Sequence, residues 1–195
     1  MSVEARTLQC PNCGGAIAIA DRVCSYCRSP IVVHRTRDLG ERNPAVVNKY
    51  VQMYRTFLQN TTGKNVETLV ALGICLLKRE TYAEAKKYFA QAISLIPDDG
   101  EPYYFLALSM LQKKRPFRHT LTEIKQIVQH LESALTYSAA GKYYYLLYLI
   151  QKDFYDKKRL HNGKNSADLE AEAFINEVDD ADILECKEYC GLMEV

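Results

Sequence analysis

Residues 69–97 read LVALGICLLKRETYAEAKKYFAQAISLIP, and two antiparallel helices joined by a sharp turn are written into them. Leu69, Leu72 and Leu76 recur at helical spacing and make one apolar face. Thr81 with Glu84 reads as a capping box that starts a second helix, whose own apolar face carries Ala85, Phe89 and Ala92. Gly73 and Ala85 have little or no side chain, so the two helices can approach closely there. Pro97, followed by Asp98-Asp99-Gly100, ends the second helix, and Pro102 opens the next one.

Working outward, the chain repeats itself. A shift of 34 residues sets Leu69 on Tyr103, Leu72 on Leu106, Gly73 on Ala107 and Leu76 on Met110, each pair alike in size or polarity. This period, with the pattern Leu69-x2-Leu72-Gly73-x2-Leu76, Ala85-x3-Phe89-x2-Ala92 and Pro97, resembles the tetratricopeptide repeat (TPR) family. Leu69 and Leu76 stand where the family usually has tryptophan and tyrosine, both slots that tolerate a change of volume. The second unit departs further. Its first helix spans 102–112, then the basic run 113–118 intervenes before a new capping box at Thr120 and Glu123, and Leu131 and Ala134 stand 42 residues after Phe89 and Ala92. A third unit begins near Lys142, with Tyr143, Leu146, Leu147 and Ile150 in register; Leu147 is large for its slot, so this repeat is degenerate. Ser166 caps an acidic helix bearing Leu169, Ala173, Phe174 and Val178, and a short helix around 183–190 closes the array. Atypical terminal units are expected of a solenoid.

The resemblance implies a concave surface lined by the first helix of each repeat. By register the residues facing it are Val70, Ile74, Tyr104, Leu108, Tyr144 and Tyr148. Those TPR proteins that grip acidic chaperone C-termini use lysines and asparagines there; aliphatic and aromatic side chains instead suit an apolar or aromatic peptide. The other expectation is that the chain's own C-terminal helices fill the groove.

Upstream, Asn43-Pro44 reads as a cap and first helical residue, and Val47, Tyr50, Val51, Tyr54, Phe57 and Leu58 give the segment 44–59 an apolar face. Further upstream lie two C-x-x-C pairs, Cys10/Cys13 and Cys24/Cys27, the first within Cys10-Pro11-Asn12-Cys13-Gly14-Gly15. Two tight turns that each bring two thiolates together supply the four soft donors of a tetrahedral site, so the pattern predicts one structural zinc, with iron in a rubredoxin-like site as the rival. The segment is similar to the short four-cysteine zinc ribbons found across unrelated functions.

Composition narrows the class. The seven cysteines are an odd number and no apolar run is long enough for a signal peptide or a bilayer span, which predicts a soluble cytoplasmic protein. Net charge is +1 but uneven: +2 over residues 1–43, +8 over 44–164 and −9 over 165–195. No P-loop, dinucleotide fingerprint, H-E-x-x-H or G-x-S-x-G is present, and His34, His119, His130 and His161 are scattered, surface-type histidines, so no enzyme is expected. Cys186 and Cys190 are expected in the core, and Asp179, Asp180 and Asp182 at a helix end. The expected organisation is a zinc ribbon over 1–35, a linker over 36–43, a mainly α TPR-like helical hairpin array over 44–165 and an acidic helical cap over 166–195. The expected function is a non-enzymatic adaptor that binds a protein or peptide partner. Two alternatives stand beside it: weak nucleic-acid association through Arg6, Arg22, Arg28, Arg35, Arg37 and the loop 113–118, and electron transfer by an iron-loaded ribbon.

Overall fold

A computed structural model describes residues 8–18, 21–40, 42–61 and 64–193. Among these the protein is mainly helical, with eight α-helices and one two-stranded antiparallel ribbon. The chain divides into two compact units, Met1–Tyr88 and Phe89–Val195.

In the first unit, β1 (Leu8–Gln9) pairs with β2 (Ala16–Ile17) in the register Leu8 to Ile17. Helix α1 (Pro44–Asn60) starts where the sequence places it, because Asn43 accepts a hydrogen bond from the Ala45 N–H at 2.9 Å and Pro44 occupies the first helical position. It buries Val47, Tyr50, Val51, Met53, Tyr54 and Leu58; Met53 joins the expected face, whereas Phe57 is only half-buried. Helix α2 (Val66–Lys78), capped by Asn65, packs against α1. It ends on Glu80, which adopts the left-handed conformation at φ 59° in a place where no glycine announced the turn. Helix α3 (Tyr82–Leu95) follows, and Glu84 in its first turn forms an ion pair with Arg55 on α1.

Within the segment 36–43, expected as a linker, residues 36–39 are ordered. Thr36–Leu39 forms a short 3-10 helix, Leu39 is fully buried, and the Asp38 carboxylate accepts the backbone N–H groups of His34 and Arg35. Two tyrosines of α1 fix the chain just before it. The Tyr50 hydroxyl donates to the Pro30 carbonyl at 2.6 Å; the Tyr54 hydroxyl donates to the Ile31 carbonyl at 2.6 Å and accepts from the Val33 N–H at 3.1 Å. Each bond satisfies a backbone group that burial would otherwise leave without a partner.

In the second unit, Phe89 stacks on Phe105, ring centroids 5.6 Å apart. Helix α4 (Gly100–Leu111) is capped by Asp99 and so begins two residues before Pro102, its expected start; it preserves the 34-residue spacing from the first residue of α2. It packs on α5 (Leu121–Tyr137), which opens with the expected capping box: Glu123 N–H to the Thr120 hydroxyl at 3.2 Å, and Thr120 N–H to the Glu123 carboxylate at 2.8 Å. Helix α6 (Gly141–Ile150) continues into a π-helical turn, Gln151–Asp156, which the sequence did not announce. Helix α7 (Ser166–Ile175) packs on α6, and α8 (Asp180–Tyr189) packs on α6 and α4. Gly141 permits the first of these contacts. A Cβ there would lie 2.5 Å from both the Ala173 carbonyl oxygen and the Val178 nitrogen.

The inserted basic run 113–118 is tied down by a buried acid. Asp153, 3% exposed in the π-turn, forms ion pairs with Arg115 and Lys157 and accepts the Phe117 N–H at 3.0 Å. Burial alone would raise its pKa, but the Arg115 guanidinium, the Lys157 ammonium and that N–H hold the carboxyl below its ordinary value. Lys113 pairs with Glu188 of α8 at 2.7 Å, so part of the acidic C-terminal charge neutralises the basic body in cis. Among the described residues no helix is long and apolar enough to cross a membrane.

Candidate metal centre

Each cysteine pair is held by a turn of the same design. The Gly14 N–H donates to the Cys10 carbonyl at 2.8 Å and the Cys10 N–H to the Gly15 carbonyl at 2.8 Å; in the second turn the Arg28 N–H donates to the Cys24 carbonyl at 2.9 Å and the Cys24 N–H to the Ser29 carbonyl at 2.9 Å. Gly14 (φ 78°) and Arg28 (φ 59°) occupy matching left-handed positions, so the second turn holds an arginine where the first has the conformationally free glycine. At Gly15 a Cβ would meet the Tyr26 ring at 2.5 Å, so that exposed ring would have to shift.

The two turns bring all four sulfurs within 4.8 Å of one another, with Cys10 Sγ 3.6 Å from Cys27 Sγ and Cys13 Sγ 3.7 Å from Cys24 Sγ. A metal ion bound tetrahedrally to thiolates at about 2.3 Å requires sulfur–sulfur edges of about 3.8 Å. The cluster therefore fits a metal ion with four thiolate ligands. Its electrostatics favour ionised sulfur at one corner, since hydrogen bonds from the Ser29 hydroxyl and then the Ser29 N–H hold the Cys27 thiol down to about 5. Cys13 lies in the other direction: the pull of the Gly15 N–H is outweighed by the crowding of the other sulfurs, which pushes it up to about 12. Cys10 and Cys24 are buried, Cys27 is half-buried and Cys13 is exposed. The remaining cysteines, Cys75, Cys186 and Cys190, are fully buried, and burial pushes their thiols up.

The six residues expected along a concave groove differ in exposure. Ile74, Tyr104 and Leu108 are fully buried and Tyr148 nearly so, while Val70 and Tyr144 are half-buried. Tyr104 rests against Phe105 and Tyr143, not beside Tyr144 and Tyr148, and its hydroxyl donates to Glu185 at 2.9 Å and lies 3.4 Å from Cys186 Sγ. Helix α8 covers this tyrosine. As placed, Ile74, Tyr104 and Leu108 serve the core and offer a partner no surface.

Two further expectations need correction. His119 is not a surface histidine: it is 8% exposed, with Nε2 3.2 Å from the Leu111 carbonyl oxygen, and it closes the inserted loop. His130 is half-buried beside Tyr103, and burial lowers its pKa. Of the arginines considered for phosphate contacts, Arg22, Arg28 and Arg37 are exposed, Arg35 is half-buried, and Arg6 lies outside the described residues. Asp179 caps α8 by accepting the Asp182 N–H at 2.7 Å. Sequence reasoning missed Lys142, 6% exposed, which pairs with Glu101 and lies 4.9 Å from the Tyr104 ring centroid. A lysine inside an apolar run was the available signal. Comparison with known proteins finds no matching family and no matching curated protein.

Proposed function

We propose that the protein is a non-enzymatic, cytoplasmic adaptor: a structural zinc held by Cys10, Cys13, Cys24 and Cys27 stabilises an N-terminal ribbon, and a TPR-like array of helical hairpins recognises a protein partner. The observations that support this reading are the four cysteine sulfurs within 4.8 Å of one another and the helices α2 and α4, which start 34 residues apart. Zinc is favoured over iron because the site's work is structural. The ribbon is small, and four-thiolate zinc supplies roughly 10–16 kcal/mol of apparent binding free energy to such elements at neutral pH. Free thiols throughout fit a reducing compartment.

Elemental analysis of freshly purified protein tests the metal. We expect one zinc per chain and its loss in Cys13→Ser; stoichiometric iron, visible as colour, or no metal at all would overturn the assignment. Affinity purification from the native cell tests the adaptor role. A protein that co-purifies in fixed ratio is expected, and a turnover reaction catalysed by the purified chain alone would refute it.

A further inference from the structure

The surface where α6, its π-turn and α8 meet carries a feature that neither the core nor the metal centre uses. A cleft of about 650 Å³ opens there, its apolar lining made by Tyr145, Tyr148, Leu149, Leu184, Leu192 and Met193. Lys152, Lys157 and Lys187 line it, against Glu170 and the buried Asp153. A second cleft of about 340 Å³ is lined by Arg115, Phe117, Arg118 and the same Lys157. Lys157 belongs to both, so the two form one continuous band.

Charge along this band is unbalanced. Among the described residues five cationic side chains face two carboxylates, and Asp153 is already engaged by Arg115 and Lys157. Lys152 is held in place rather than waving in solvent: its ammonium donates to the Tyr148 hydroxyl at 2.7 Å and lies 5.0 Å from the ring centroid. Between the cations, large apolar side chains stand open to water, with Leu184 53%, Met193 48% and Phe117 46% exposed. Apolar groups set among fixed cations mark an interaction site whose occupant supplies both hydrocarbon and negative charge. A polyphosphate backbone answers only the second need.

We propose that this band is the docking surface of the adaptor and that its occupant is an acidic peptide segment of a protein partner, carrying large apolar side chains between its carboxylates. The proposal rests on the adaptor reading and gives it a site that includes Tyr148 of the expected groove.

The test is selection of a displayed random-peptide library on the full chain, followed by fluorescence anisotropy of the enriched peptides. Three exposed or half-exposed positions that hold no described core contact are varied: Lys187→Glu, Arg118→Glu and Leu184→Asp. Enriched peptides should combine Asp or Glu with Leu, Phe or Met, and each variant should weaken them by on the order of tenfold with an unchanged thermal melt. Enriched peptides that bind all three variants as tightly as the parent protein overturn the docking site while leaving the adaptor reading intact. Failure to enrich any peptide overturns the proposal; tight binding of single-stranded RNA that the two charge reversals abolish would overturn the adaptor reading with it.

Discussion

Tyr54→Phe removes a single oxygen atom, yet two backbone groups depend on it. The hydroxyl accepts from Val33 N–H and donates to the Ile31 carbonyl, and Tyr54, Ile31 and Val33 are all buried. Loss of the oxygen leaves a donor and an acceptor dry and unpaired, each a penalty of about 1–3 kcal/mol, so the substitution should lower stability by about 3 kcal/mol. For a chain of this size that is a fall in melting temperature of roughly 6–12 °C. The ring stays, so the effect is not one of packing. Because the bonds seat the segment that follows Cys27, the loss should depend on the metal centre. In a Cys13→Ser background, where the ribbon has no metal to order it, Tyr54→Phe should lower stability by less than about 1 kcal/mol, a coupling that a double-mutant cycle reads directly. The assay is urea unfolding followed by circular dichroism for the four proteins. Strictly additive losses would show that the hydroxyl does not join the four-cysteine segment to α1, and the reasoning would fail.

Other substitutions probe the second unit. Asp153→Asn should lower stability at neutral pH by about 2 kcal/mol, a figure discounted because the Arg115 and Lys157 side chains are about half exposed. Its folded pKa lies below the unfolded value, so its contribution is fully present above about pH 4 and is lost as pH falls through the folded pKa; urea midpoints of the variant should fall less steeply than those of the parent in that acid range, and parallel curves would refute the ion-pair account. Gly141→Ala drives a methyl group against the Ala173 oxygen and the Val178 nitrogen and should lower stability by about 1–3 kcal/mol. A melting curve unchanged from the parent protein would show that α6 and α7 are not in that close contact.

How much of this was legible depended on whether a residue's role is local. The Asn43-Pro44 start, the Thr120 and Glu123 capping box and the Cys10, Cys13, Cys24, Cys27 cluster each rest on residues a few positions apart, and the structure returns all of them. The left-handed Glu80 and Arg28 were invisible because a non-glycine accepts that conformation only where surrounding structure imposes it. Tyr104 shows the limit of register arguments. Register placed it on a groove open to a peptide, with cover by the chain's own C-terminal helices as the other expectation, and only the long-range approach of Glu185 and Cys186 shows α8 against it. Asp153 was hidden for the same reason, since its partners Arg115 and Phe117 precede it by 38 and 36 residues. The proposed docking band was equally out of reach, because its lysines come from the π-turn, the residue that follows it and α8, and share a surface only after folding.

The tyrosine clasp on the four-cysteine segment spans very little chain. Pro30 and Tyr50 are 20 positions apart, Ile31 and Tyr54 only 23. Contacts this short in sequence close quickly and need nothing downstream. During synthesis, in which N-terminal structure forms first, the clasp needs only residues up to Tyr54, all within the first unit. The four-cysteine segment would thus be fastened to α1 early, without waiting for any later helix to form.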